Sequence, residues 1–325
     1  MTGMEDEGKF EARYLAFLET ISHVRPRLHR YCARMTGSIT DGEDVVQDAL
    51  FRAYRSVETW DESRPLVPWL FRIAHNQCID FLRSRGVRVE AEAAAAEPDF
   101  FEPAEPRPAV GPAIEHLVLN LPPKERACVL LKDVFEYSLE EIADLVDTTV
   151  GGVKAALSRG RSKLAALENQ PERAGGAVVR DSKKRSRIPT PGNEAHRRKS
   201  VVRVENKEIL RLYVERFNSR DWDGLRELIS ADARLLVADR FAGKLADAGY
   251  FGVYARMKQT WRLALGEVDG EPSVILLNQR DGSWEIEGIV RLDIAPGGRI
   301  AHISDYQHCP WTLTAGSIVV REPVV

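Results

Sequence analysis

The chain has 325 residues, of which 44% are hydrophobic and 29% charged. It is too long for one ordinary domain, and its composition is that of a globular protein with hydrophobic cores. No apolar run reaches the ~20 residues that span a bilayer, so no membrane contact is expected. The acidic first ten residues resemble no secretion signal, and four widely spaced cysteines favour buried thiols in a reducing compartment. We therefore expect a cytoplasmic protein.

Charge is unevenly distributed along the chain. Residues 1–113 contain 14 basic and 19 acidic residues, whereas residues 114–199 contain 16 and 12. Residues 200–325 contain 16 basic and 18 acidic residues. Only the middle third is basic, so a contact with nucleic acid is expected there first.

Composition predicts three structured units joined by two linkers. Residues 86–112 form an acidic linker rich in proline and alanine, and residues 169–200 form a basic, flexible one. Such segments bury too little apolar surface to offset the entropy lost on ordering. The structured units are therefore expected at 10–85, 113–168 and 201–325.

The first unit is predicted to be helical. Apolar residues recur at helical spacing in 41–54, and Thr40 with Glu43 fits a capping box at the start of that helix. The next helix is expected from Pro68, whose fixed φ suits a first turn, to about Ser84.

This second helix carries a polar stripe whose members lie three or four residues apart. Its residues are Arg72, Asn76, Asp80 and Arg83. Trp60 and Trp69 stand near its start, and aromatic and amide groups beside arginines are used to hold unpaired bases. The alternative is that either tryptophan belongs to an ordinary helical core.

Residues 138–164 predict a helix-turn-helix. Ser138 and Glu141 fit a capping box before the first short helix, and a polar turn ending at Thr149 precedes the second. The polar face of the second helix carries Lys154, Ser158, Arg159, Arg161 and Lys163. Such a face suits a helix that reads the major groove, since lysine and arginine neutralise phosphates and arginine recognises guanine. The alternative is a helical hairpin with a solvated basic face.

The third unit is predicted to be α+β, with helices preceding antiparallel strands. Helices are expected at 205–219 and 222–230, and strands at 273–278, 284–294 and 299–306. Its candidate acid–base groups are Asp232, Asp239, Asp305, Tyr213, Tyr306 and His308. On a strand, His302 and His308 share a face whereas Asp305 and Cys309 point the other way, so no metal site is expected. No cofactor is expected either.

Three motifs in order resemble extracytoplasmic-function (ECF) sigma factors over about half of the chain. Residues 41–54 resemble region 2 of these factors, and residues 69–83 resemble its promoter-melting part. Residues 121–127, followed by the 138–164 hairpin, resemble region 4, which reads the −35 element. The resemblance implies two all-α sigma domains, the second a helix-turn-helix.

The resemblance also implies partners and residue roles. The partners are core RNA polymerase, through its β′ clamp helices and β flap, and promoter DNA. The residues implied in polymerase binding are Asp44, Gln47, Asp48, Phe51 and Arg52. For DNA binding, the resemblance implies Asn76 with its neighbours, and Thr149, Lys154, Ser158, Arg159 and Lys163. Together with the polar faces described above, the expected DNA-binding residues are Arg72, Asn76, Asp80, Arg83, Thr149, Lys154, Ser158, Arg159, Arg161 and Lys163.

Residues 213–233 resemble the opening of SnoaL-like domains of the NTF2-like superfamily. That resemblance implies an α+β cone with an apolar pocket, which such domains use either for catalysis or for regulation. The domain would modulate the sigma factor by docking on its sigma domains or on polymerase, or by sensing a small-molecule ligand. The Asp-Gly-Gly-Gly-Lys motif of one branch of such fused factors does not occur.

The predicted function is promoter-specific initiation with core RNA polymerase, without catalysis. One alternative is a ligand-responsive helix-turn-helix regulator that acts without polymerase. The other is a SnoaL-like isomerase or cyclase fused to a DNA-binding region.

Overall fold

The computed structural model covers most of the chain. It describes residues 2–57, 60–61, 65–95, 118–168, 204–238, 240–256, 261–295 and 297–321, without the side chains of 2–13, 87–95, 168 and 204–206. Most of both expected linkers and the candidate acid Asp239 lie outside the described residues.

Helices make up the described part of the chain before residue 169. The N-terminal unit contains α1 (Thr2–Thr36), α2 (Ile39–Ser56) and α3 (Leu66–Ala95). The middle unit contains α4 (Pro123–Val129), a π-helical turn (Leu130–Val134), α5 (Leu139–Leu145) and α6 (Val150–Glu168).

The C-terminal domain combines helices with one sheet. Its helices are α7 (Val204–Asn218), α8 (Trp222–Glu227), α9 (Leu245–Ala248), α10 (Tyr250–Arg256) and a 3-10 helix (Pro310–Thr314). Its strands are β1 (Ile229–Val237), β2 (Phe241–Lys244), β3 (Trp261–Val268), β4 (Glu271–Arg280), β5 (Ser283–Ile294), β6 (Ile300–Asp305) and β7 (Ile318–Val320).

Two predictions about the N-terminal helices are wrong. Helix α2 is capped by Ser38, whose hydroxyl accepts a hydrogen bond from the Asp41 amide over 3.3 Å, rather than by Thr40. Glu43 is completely buried, so its carboxylate serves tertiary contacts instead of a capping box. Helix α3 continues past Ser84 to Ala95, into the segment expected to be a linker.

The helix-turn-helix has the predicted start. The Ser138 hydroxyl accepts from the Glu141 amide over 3.1 Å, and the Glu141 carboxylate accepts from the Ser138 amide over 2.7 Å. Asp147 adopts a left-handed conformation, with φ of 52°, in the turn before α6. The capping box is therefore confirmed.

The N-terminal and middle units share one hydrophobic core. The ring of Phe135 lies 5.7 Å from that of Tyr31 and 5.9 Å from that of Phe71, measured between centroids. The buried guanidinium of Arg126, in α4, donates to the Met35 carbonyl of α1. The two units therefore form one packed body.

Gly42 allows α1 and α2 to cross closely. A Cβ at this position would lie 2.5 Å from the backbone nitrogen of Ala33 and 2.6 Å from its Cα. Because these are backbone atoms, a larger residue would push the helices apart.

The sheet has the strand order β2-β1-β6-β5-β4-β3-β7. Helices precede most of the strands, so the predicted α+β class is confirmed. The sheet is not purely antiparallel as predicted, because β1 pairs with β6 in parallel. One face of the sheet, with α7 and α10, encloses an aromatic interior, and the other face packs against Ile39 of α2.

Candidate functional site

The implied polymerase-binding residues lie along α2. Asp48, Phe51 and Arg52 are exposed, and Phe51 shows 61% of its surface to solvent. Gln47 is half-buried. Asp44 differs from these residues because the C-terminal domain contacts it directly.

Asp44 and its neighbour Asp41 form an ionic cluster with the C-terminal domain. The Tyr306 hydroxyl donates to Oδ1 of Asp44 over 2.8 Å. Nη1 of Arg291 lies 2.9 Å from Oδ1 of Asp41 and 3.4 Å from Oδ2 of Asp44. Arg85 of α3 donates to the second oxygen of Asp41 over 2.9 Å. One cluster thus joins α2, α3 and the C-terminal sheet.

Burial changes the acid–base properties of this cluster. It raises the pKa of Asp44 to about 6, against the lowering effects of Arg291 and Tyr306. Burial also raises the pKa of Tyr306 well above its ordinary value. Burial alone would lower the pKa of Arg291, but Tyr306, Asp44 and the neighbouring carboxylates raise it.

A second contact surrounds the buried carboxylate of Glu43. Oε1 of Glu43 accepts from Arg25 of α1 over 2.5 Å, and Oε2 accepts from the Trp311 indole over 2.8 Å. The Arg25 guanidinium also lies 5.0 Å from the Trp311 ring centroid. The Cys309 thiol also donates to Oε1 of Glu43 over 3.6 Å. Glu43 therefore binds one cation inside its own unit and two donors from the C-terminal domain.

The third contact holds the first turn of α2. Oδ2 of Asp269 accepts from the Ile39 backbone amide over 2.9 Å, and a carboxylate at a helix N-terminus is electrostatically favourable. A Cβ at Gly316 would lie 2.7 Å from Cγ1 of Ile39, so the C-terminal domain approaches α2 closely at this point.

The implied promoter-melting stripe lies on α3. Asn76, Asp80 and Arg83 are exposed, and Arg83 lies 3.6 Å from Asp80. Arg72 is partly exposed, and its guanidinium lies 3.9 Å from the Asp147 carboxylate in the helix-turn-helix. The stripe and the turn are therefore neighbours in this structure.

The implied reading residues of α6 are all exposed, but three of their cations have acidic partners. Arg159 and Lys163 both bind Glu125 of α4, over 2.9 and 2.7 Å. Arg161 lies 2.5 Å from Asp133. The remaining residues are Lys154, Ser158 and Thr149, whose hydroxyl accepts from the Gly152 amide over 3.1 Å.

The candidate acid–base groups of the C-terminal domain do not converge as a set. Asp305 and Tyr213 are buried in the aromatic interior, and Tyr306 lies at the contact with α2. Asp232 and His308 are exposed. The hydroxyls of Tyr250 and Tyr254 donate to Asp305 over 2.8 and 2.7 Å.

Sequence reasoning missed the residues that join the domains, notably Glu43, Arg291 and Trp311. Their partners are some 250 residues away in sequence, and no local pattern marks such pairs. Within the described ranges, no group of three or more histidine, cysteine or acidic residues is placed to hold a metal. No described helix is long and apolar enough to cross a membrane.

Family comparisons match both helical units. Residues 20–88 match Sigma-70 region 2, and residues 112–164 match Sigma-70 region 4. The chain is 32% identical over 162 residues to the ECF RNA polymerase sigma factor SigW of Bacillus subtilis, covering 46% of this chain and 87% of SigW. It is 31% identical over 242 residues to SigG of Mycobacterium tuberculosis, covering 65% of this chain and 59% of SigG.

Among solved structures, the crystal structure of the Mycobacterium tuberculosis extracytoplasmic function sigma factor SigJ is similar at 18% identity. That match covers 92% of this chain and 98% of SigJ, with a TM-score of 0.32. The two region matches and the extent of the match to SigW decide the family. The chain belongs to the ECF RNA polymerase sigma factors, which bind core RNA polymerase and direct promoter-specific initiation.

Proposed function

We propose that this sigma factor rests in a closed, inactive form that its own C-terminal domain holds in place. The observation that carries the proposal is the contact at Asp44, a residue implied in docking on the β′ clamp helices. Tyr306 and Arg291 bind its carboxylate, so the polymerase and the C-terminal domain compete for it. The exposed remainder of the docking surface, from Asp48 to Arg52, is left for an initial encounter.

The arrangement of the two sigma regions supports the same proposal. The names −10 and −35 place the promoter elements roughly 25 base pairs apart, on the order of 80 Å at about 3.4 Å per base pair. In this structure Arg72, on the −10 helix, lies 3.9 Å from Asp147, in the −35 hairpin. The two units must therefore separate before both elements can be bound at once.

In the open form, the proposed contacts are those that the family resemblance implies. Gln47, Asp48, Phe51 and Arg52 join Asp44 on the clamp helices, and the middle unit engages the β flap. The α3 stripe holds the −10 strand, and Lys154, Ser158 and the three paired cations of α6 read the −35 duplex. Because promoter recognition takes place in a complex with core polymerase, we place the protein in the cytoplasm and assign it no catalytic step.

A reversible lock across the domain contact tests the proposal. The pair Ile39→Cys and Gly316→Cys suits a disulfide, because a Cβ at 316 lies 2.7 Å from Cγ1 of Ile39. The two Cβ atoms are then at most about 4.2 Å apart, within the range of natural disulfides. Run-off transcription with core polymerase should be low for the oxidised double variant and should recover when a reductant is added.

Each single-cysteine variant serves as a control, because neither can form the lock. Both should transcribe equally well with and without reductant. If the oxidised double variant binds core polymerase and transcribes as well as its reduced form, the closed form is compatible with initiation and the proposal is wrong.

A further inference from the structure

Glu125 of α4 holds two cations of α6 at once. Its Oε1 accepts from Nε of Arg159 over 2.9 Å, and its Oε2 accepts from Nζ of Lys163 over 2.7 Å. The Glu125 side chain is 9% exposed, whereas that of Arg159 is 57% exposed. The carboxylate therefore lies beneath the surface, and the two cations extend from it towards solvent.

Close packing of α6 on α4 places this carboxylate. Gly160 is buried, and a Cβ there would lie 2.9 Å from Cγ2 of Val129 and 3.6 Å from Cβ of Glu125. A side chain at position 160 would therefore press on α4. Arg159 and Lys163 are four residues apart, so they are neighbours on one side of α6 and share the same acceptor group.

The bond to Glu125 leaves the outer end of the Arg159 guanidinium available. Nε is bound, while Nη1 and Nη2 have no partner within the part of the chain that the structure describes. Arginine recognises guanine with two donors, one to O6 and one to N7. A guanidinium held through Nε still presents its two terminal nitrogens as such a pair.

Arg161 and its partner Asp133 provide a comparison on the same helix. The Nε of Arg161 donates to Oδ2 of Asp133 over 3.2 Å, but the Asp133 side chain is 38% exposed. An ion pair open to solvent is screened and holds its members weakly. Of these two acidic partners, only Glu125 is buried enough to fix the direction of an arginine.

We propose that Glu125 is a positioning residue, which presents Nη1 and Nη2 of Arg159 to a guanine of the −35 element. The inference rests on the reading role proposed above for α6. A guanidinium that is already held loses less rotamer freedom when it binds a base. It is also less free to swing to a phosphate, a contact that carries no sequence information. Glu125 thus lowers the overall affinity for DNA but raises the discrimination between bases.

Selection from a duplex library randomised across the −35 element tests the proposal, with holoenzyme assembled from core polymerase and the full-length chain. At one base pair, the wild type should favour guanine over adenine about tenfold, the discrimination of one bidentate pair. Glu125→Ala should lower that preference about threefold, because the rotamer is no longer held. Glu125→Gln also removes the charge, but it keeps an oxygen that accepts from Nε and should retain more of the preference.

Three further variants serve as controls. Asp133→Ala removes the exposed partner of Arg161 and should leave the guanine preference unchanged. Arg159→Lys keeps the charge without the two-donor fork and should abolish the preference. Adding Glu125→Ala to Arg159→Lys should then change the preference no further, since Glu125 acts through Arg159. Partial unfolding of a variant would weaken binding to all sequences without changing their ratio.

The outcomes separate the role of Glu125 from the reading role of α6. A wild-type preference in Glu125→Ala, or an equal loss in Glu125→Ala and Glu125→Gln, overturns the positioning role. If Arg159→Lys loses the preference while Glu125→Ala keeps it, α6 reads DNA as proposed and only the role of Glu125 fails. If the wild type shows no guanine preference, or Arg159→Lys retains it, the reading role of Arg159 and this inference fail together.

Discussion

The hydroxyl of Tyr306 donates a hydrogen bond to the carboxylate of Asp44 over 2.8 Å, across 262 residues of sequence. Tyr306 is completely buried in the C-terminal domain, and Asp44 lies on the helix that family resemblance assigns to polymerase docking. In the closed form proposed above, this bond ties the position of the C-terminal domain to the accessibility of Asp44.

Tyr306→Phe should shift the protein toward its open form. A hydrogen bond to a charged group contributes about 1.5 kcal/mol or more, so the open population should rise about tenfold. The affinity for core polymerase, measured by titration with labelled protein, should increase accordingly. Arg280→Gln is the matched control, because Arg280 pairs with Glu287 on an exposed hairpin of the same domain. If Tyr306→Phe and Arg280→Gln changed the affinity for core polymerase equally, the Tyr306–Asp44 contact would not be what holds the closed form.

The closed form should become more stable as the pH falls from about 6 towards 4. Burial raises the pKa of Asp44 from its ordinary 3.8 to about 6, so the closed form retains a proton that the open form releases. By proton linkage, affinity for core polymerase should be about fourfold lower at about pH 5.5 than at about pH 7.5. The expected loss is therefore on the acidic side, with little change above pH 7.

Asp44→Asn is the control for this pH dependence because asparagine does not titrate. The affinity of this variant for core polymerase should not show the roughly fourfold decrease on acidification, whatever its absolute value. A wild-type affinity that rises on acidification would show that another group governs opening.

Glu125→Gln should strengthen the binding of the middle unit to DNA. Burial would raise the pKa of Glu125, but hydrogen bonds from Lys163 and Arg159 outweigh it and keep that carboxyl charged. Removing its charge frees two cations for phosphates. A plot of the logarithm of DNA affinity against that of salt concentration should steepen by about one to two units.

Asp144→Asn removes an acidic charge from the exposed face of α5 and is the matched control for this measurement. Its salt dependence should steepen less than that of Glu125→Gln. An unchanged slope in Glu125→Gln would mean that Arg159 and Lys163 reach phosphates without leaving the carboxylate, or do not contact DNA.

Local patterns explain which predictions succeeded. The Ser138 and Glu141 capping box lies within four residues, so periodicity and capping chemistry were sufficient to find it. Thr40 and Glu43 have the same spacing, yet Ser38 caps α2 because Glu43 is drawn into contacts with Arg25 and Trp311. A tertiary contact overrode a local preference there.

The sequence by itself determined the family, the helical sigma regions and the α+β class of the C-terminal domain, since helical spacing, turn residues and motifs are local properties. Only the tertiary structure decided that Asp41, Glu43 and Asp44 bind the C-terminal domain. These contacts join residues far apart in the chain, and each depends on how two packed faces meet. Burial, which raises the pKa of Asp44, exists only once those faces have come together.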